Sequence, residues 1–175
     1  MAKTLIRGYY ASVSFTDAQV GRVLEELEQS GLSENTIVIL WGDHGWNLGE
    51  HSLWAKHCTF ENSMRVPLII RTPQSESAPQ GQTTNTLTEF IDIYPTLCEL
   101  AGIDAPKHLD GQSLAPVLKD PDSTGKGYAI GRFSNGDTIR SNRWRYTEYT
   151  TKEDRGDGRI VSHMLYDHDK DPEEN

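Results

Sequence analysis

Asp43 and His44 stand side by side between Gly42 and Gly45, at the abrupt end of the apolar run Thr36-Ile37-Val38-Ile39-Leu40-Trp41. A carboxylate suits a hard cation such as Ca²⁺ or Mg²⁺, and an imidazole is commoner around Zn²⁺. Neighbours in an extended strand point to opposite faces, so both can reach one cation only if the backbone turns, which the flanking glycines permit. The same pair also makes a capping carboxylate beside a hydrogen-bonded imidazole, and residue type alone leaves both readings open. His51 and Lys56 follow in the same glycine-bearing loop. A lysine there offers a point charge to an anion or simply sits in water. Trp46 and Trp54 need a surface to cover, either a ligand or the core.

The elements that must position these residues are legible around them. Residues 36–41 form a continuous β-branched and apolar run of strand length, which reads as a strand buried on both faces inside a parallel sheet. Open α/β sheets bind ligands beyond the carboxyl ends of their strands, where Asp43 and His44 stand. Upstream, Val13, Asp17, Val20, Leu24 and Leu27 recur at helical spacing, so residues 10–29 are expected to form an amphipathic helix closed near Gly31. Downstream, residues 59–64 allow one helical turn, residues 66–71 a second strand with Pro67 as its second residue, and residues 72–86 a long loop. Residues 87–101 are helical in period, with Asp92 as a cap, Pro95 in the first turn and Gly102 as the stop. A short helix is expected at 114–118.

From residue 128 the pattern changes to short alternating runs at 128–133, 137–141, 143–150 and 160–166. They read as an antiparallel sheet joined by turns at Asn135-Gly136 and Gly156-Asp157-Gly158. The expected fold class is α/β: a partial mixed or parallel sheet sandwiched by helices over residues 1–120, followed by a small α+β unit with an antiparallel sheet over 121–175. Only two strands and two principal helices belong to the first part, too few for a doubly wound domain. The chain therefore reads as half of something.

With 175 residues and a formal net charge of −9, the chain is a poor candidate for general nucleic-acid binding. No apolar run approaches the ~20 residues of a membrane span. Cys58 and Cys98 lie too far apart for a metal-binding spacing and read as two thiols or one disulfide. The first six residues lack the apolar core and cleavage site of a secretory signal, so the protein is cytoplasmic or the natural start lies elsewhere.

The residues Tyr9-Tyr10-Ala11-Ser12-Val13-Ser14-Phe15, Asp17, Gln19-Val20-Gly21-Arg22, Asp43-His44-Gly45-Trp46, Leu48-Gly49-Glu50-His51 and Trp54-Ala55-Lys56 closely resemble the second half of the sulfatases. Within that family the iduronate-2-sulfatase branch is nearest. The resemblance continues in order through Val66-Pro67-Leu68-Ile69, Ile93-Tyr94-Pro95-Thr96-Leu97, Ile139-Arg140, Arg145-Tyr146-Thr147 and Leu165-Tyr166-Asp167 to Asp171-Pro172. It implies a sulfate-ester hydrolase that uses a formylglycine nucleophile and one Ca²⁺, acting on a sulfated saccharide such as a 2-O-sulfated uronate of a glycosaminoglycan. Asp43 and His44 match metal-ligand positions, and Lys56 a sulfate-contacting lysine. His51, Trp46 and Trp54 match positions near the pocket mouth, and Arg140 sits in the part that shapes specificity.

The Cys/Ser-x-Pro-Ser-Arg segment that yields formylglycine does not occur, since Cys58 is followed by Thr-Phe-Glu and Cys98 by Glu-Leu-Ala. The expected partner is accordingly the missing N-terminal half, and the chain alone is expected to be inactive and prone to self-association through its sheet edge. Relatives of this kind are commonly periplasmic, secreted or lysosomal. Two other readings stand beside it: a two-metal phosphatase or phosphodiesterase of the alkaline-phosphatase superfamily, and a non-catalytic module that binds sulfated glycans.

Overall fold

The computed structural model describes residues 1–73, 81–151 and 159–175. The chain divides into two compact units, one made of Met1–Lys56 and Asn62–Ser75, the other of His57–Glu61 and Glu76–Asn175.

The first unit opens with α1, Ala2–Gln29. The helix starts earlier than residue 10 because Ile6 and Tyr9 continue the stripe of Val13 and the only weak helix former in between is Gly8, a cost of about 1 kcal/mol. It ends as expected, with Gly31 in the left-handed region at φ 70°. None of its residues is buried. A short 3₁₀ turn, Ser33–Asn35, leads to β1, Val38–Trp41.

Here the structure differs from the sequence reading. β1 pairs antiparallel with β4, Leu68–Arg71, with Ile39 opposite Ile70 and Trp41 opposite Leu68. Nor is it buried on both faces, since Leu40 is 41% and Trp41 47% exposed. An apolar run signals that a strand wants burial and does not say that its own unit supplies it. Pro67 lies just before β4 and so withdraws no ladder donor. Between these strands, β2 (Asn47–Leu48) and β3 (Trp54–Ala55) make a short antiparallel hairpin, and α2 (Glu61–Met64) supplies the helical turn anticipated for 59–64. No apolar side chain described in this unit is buried; its buried residues are Ser33, Asn47 and Ser63.

The second unit holds α3 (Ile93–Leu100), α4 (Ala115–Lys119) and a four-stranded antiparallel sheet in the order β5-β6-β7-β8. Its strands are β5 (Tyr128–Phe133), β6 (Gly136–Ser141), β7 (Trp144–Thr150) and β8 (Ile160–Asp167). Cys98, Leu114, Ala115 and Val117 form the small apolar core. Asp92 stands at the N-cap of α3 as expected, but its side chain makes no cap bond to that helix and serves as a buried hub. Its carboxylate accepts the amides of Glu89 at 2.8 Å and Gln112 at 2.9 Å and pairs with Lys126 Nζ at 2.8 Å. The turn foreseen at Asn135-Gly136 falls one residue earlier, at Ser134-Asn135, with Ser134 at φ 57°. Gly136 instead opens β6, where an added Cβ would lie 2.7 Å from the Tyr149 ring. The turn expected at 156–158 and residues 74–80 of the expected 72–86 loop lie outside the described residues.

Candidate active site

The first unit presents Asp43 and His44 directly beyond β1. Gly42 donates to Pro67 O at 3.3 Å, the last tie to the β4 side, and the chain then turns. Gly45 makes that turn possible. Its amide donates to Ser63 O at 2.9 Å, and a Cβ on it would fall 2.0 Å from Asn62 O. Only glycine lets the backbone lie this close to α2.

The turn resolves the opposite-faces problem. His44 Nε2 comes to 3.3 Å from Asp43 Oδ2, and the His44 amide donates to Asp43 Oδ1 at 3.1 Å. The other ring nitrogen, Nδ1, lies 2.8 Å from Gly45 O. A carbonyl oxygen only accepts, so Nδ1 carries a proton. In the neutral ring Nε2 then turns a lone pair toward a carboxylate oxygen. Two acceptors facing each other are satisfied by a second ring proton or by a shared cation. A backbone carbonyl on Nδ1 is also the usual support of an Nε2-liganding histidine. The separation suits neighbouring ligands of one Ca²⁺ bound at 2.3–2.6 Å. Asp43 is 84% exposed at its side chain, whereas His44 is 28% exposed.

An aromatic stack orients the imidazole. The Trp46 ring lies 5.9 Å from the His44 ring at 30°, and Tyr9 of α1 lies 6.2 Å from Trp46 at 26°. One turn of α1 therefore backs the corner. Behind it, fully buried Asn47 donates through Nδ2 to Ala55 O at 2.9 Å and Ser63 Oγ at 2.7 Å, fastening the β2–β3 hairpin to α2.

That hairpin carries the remaining sequence candidates. Its register sets Ala55 opposite Asn47 and Trp54 opposite Leu48, Lys56 follows Ala55 in the chain, and Trp54 is 41% exposed. Lys56 makes no ion pair among the described residues. The backbone here is unusual: His51 (φ 54°), Ser52 (φ 60°) and Ala55 (φ 70°) all occupy the left-handed region without being glycine. Such residues cost about 1 kcal/mol or more each and cluster where side chains must be aimed.

Arg140 belongs to the second unit, where Nη2 donates to His168 Nδ1 at 2.9 Å and Nε faces Glu61 Oε2 at 3.4 Å. It is part of a buried network that sequence reasoning missed. Arg145, 3% exposed, pairs with Glu61 and, through Nε at 2.6 Å, with Glu174 Oε1. His168 Nε2 lies 2.8 Å from the same Glu174 oxygen, and the Glu61 amide donates to Glu174 Oε2 at 2.8 Å. Glu61, His168 and Glu174 form the one three-residue set among the described residues with metal-ligand spacing. Two guanidinium groups already balance its two carboxylates, so it is an ion-pair network. Burial works against the charge on Glu61, yet the hydrogen bond and charge of Arg145, with Arg140 and His168, hold its carboxyl below the ordinary value. A signal existed in the period-2 placement of Arg145 and Thr147 on the inward face of β7; their partners, far away in sequence, carried none.

The fold and the strand-end corner define an α/β chain of the alkaline-phosphatase-like class. The chain belongs to the sulfatase family, whose model, described as "Sulfatase", matches residues 2–103. It is 35% identical over 173 residues to a sulfatase of Formosa agariphila, a match covering 98% of this chain and 32% of that protein. To the iduronate 2-sulfatase of Mus musculus it is 38% identical over 122 residues, covering 57% of this chain and 22% of that one. A solved protein in complex with its substrate D-glucosamine-2-N,6-O-disulfate superposes with a TM-score of 0.79 at 29% identity, over 90% of this chain and 33% of that one. The chain thus spans about a third of the length of the curated relatives it matches.

Proposed function

We propose that this chain supplies the metal- and sulfate-holding corner of a sulfuric ester hydrolase acting on a sulfated sugar of the 2-O-sulfated uronate class. The observation that carries the reading is the unshielded approach of His44 Nε2 to Asp43 Oδ2, with Nδ1 locked on Gly45 O. Asp43 and His44 would hold one Ca²⁺, which when bound polarises the sulfate oxygens. Lys56 brings a fixed positive charge to the sulfate and offsets charge developing on the ester oxygen or the sulfate itself. His51, aimed by its left-handed backbone, stands on the same loop as a proton donor or acceptor, and Trp46 and Trp54 offer flat apolar faces to a sugar ring. Arg140 was expected at the substrate; its engagement with Glu61 and His168 favours a structural role instead.

The nucleophile and the remaining metal ligands come from the two thirds of the fold that the matched relatives have in addition. Residues 1–120 would form the C-terminal portion of the catalytic domain and 121–175 a small C-terminal subdomain. A net charge of −9 repels an acidic saccharide at long range, so the cations at the corner act locally. The test is a chimera in which this chain replaces the matched third of the Formosa agariphila sulfatase. Sulfate release from a 2-O-sulfated uronate disaccharide, lost with Asp43→Asn or His44→Ala, supports the proposal; a chimera that binds the disaccharide without turnover sinks it in favour of a binding module.

A further inference from the structure

Ala55 holds a left-handed backbone at φ 70° although it is not glycine, and it immediately precedes Lys56. A residue with a Cβ disfavours that conformation and keeps it only where its surroundings impose it. At Ala55 the imposing neighbour is Asn47. Opposite Ala55 in the β2–β3 register, Asn47 is fully buried, and its Nδ2 donates to Ala55 O at 2.9 Å. The Ala55 carbonyl and the Lys56 amide belong to one planar peptide unit, so a bond that fixes the carbonyl fixes the direction in which the chain enters Lys56. Nδ2 also donates to the buried Ser63 Oγ at 2.7 Å, and Ser63 takes the Gly45 amide on its carbonyl oxygen at 2.9 Å. One residue of α2 thus braces both the turn that carries Asp43 and His44 and, through Asn47, the peptide that leads into Lys56. An apolar side chain would close so short a ladder without the desolvation cost of a buried amide; what the amide adds is direction, because its bonds hold only over a narrow range of angles.

We propose that Asn47 is a positioning residue for Lys56: it holds Ala55 in the left-handed region and so aims the lysine at the sulfate. The inference rests on the functional reading above for what Lys56 does. Asn47 itself touches neither substrate nor metal in this role. Its effect on rate passes through Lys56, and a misplacement of about 1 Å can cost ~10²-fold.

A double-mutant cycle in the Formosa agariphila chimera tests it, read as kcat/KM for sulfate release together with the melting temperature. Asn47→Ala is expected to lower kcat/KM by about 10- to 100-fold in the parent chimera, and by less than about twofold when Lys56→Ala is already present. Ala55→Gly added to Asn47→Ala removes the left-handed strain, and is expected to return the melting temperature without returning kcat/KM. The positioning role is overturned, with the functional reading intact, by parent activity in Asn47→Ala, by the same fold loss with and without Lys56, or by activity that returns together with the melting temperature. If the chimera turns over no sulfate ester, or Lys56→Ala by itself leaves kcat/KM unchanged, the functional reading falls and this role falls with it.

Discussion

Among single residues, Asp43, His44 and Lys56 carry the chemistry proposed for the strand-end corner. In the assembled enzyme Lys56→Ala is expected to lower kcat/KM by about 10²–10³, the usual loss for a group aimed at developing charge. Sulfate release under saturating and limiting substrate reads this directly. A surface lysine would move neither parameter. Glu61 gives a pH prediction of known sign. Its folded pKa lies below the ordinary 4.5, so its pairing stabilises the fold at neutral pH and that contribution is lost as pH falls through the lower folded value. Urea unfolding between neutral pH and about pH 3 should show the loss, and Glu61→Gln should flatten the acid side of the curve while lowering stability at neutral pH.

Among the elements, the turn between β1 and the hairpin carries the geometry. Gly45→Ala places a methyl group within 2.0 Å of Asn62 O, and backbone cannot yield as a side chain can. Thermal unfolding of the variant should show a loss on the order of 2 kcal/mol or more, with His44 displaced from Asp43. This scale also shows what a sequence discloses. The four strands of the second sheet, the stop of α1 at Gly31 and the helical turn at α2 follow from local period and turn chemistry, and all three are visible in residue order alone. The pairing partner of β1 is not, because a buried apolar run fits parallel and antiparallel neighbours alike. Asp92 looks like a cap from its position and proves to be a hub, since Gln112 and Lys126 reach it across loops. Arg145 carried only a weak periodic hint, and its partner Glu174 lies beyond β8 at the chain's end. The left-handed backbone at His51 and Ala55 left little signal, because alanine disfavours that conformation and the enrichment of histidine there is too slight to mark one position.

For the whole molecule, a chain that spans about a third of its relatives carries Asp43, His44 and Lys56, the proposed metal ligands and sulfate-contacting lysine, and no Cys/Ser-x-Pro-Ser-Arg segment. The low strand count of the first unit is legible in the sequence, and its exposed apolar faces are not, because exposure depends on packing. The isolated 175 residues are therefore expected to release no sulfate from any ester, by ion chromatography over long incubation. The most direct measurement is sulfate release from a 2-O-sulfated uronate disaccharide by the isolated chain, the chimera and the chimera carrying Lys56→Ala, with a phosphate monoester as a second substrate. Turnover of the sulfate ester is expected from the chimera alone. Turnover by the isolated chain, an unaffected Lys56→Ala chimera, or a preference for the phosphate ester would contradict it.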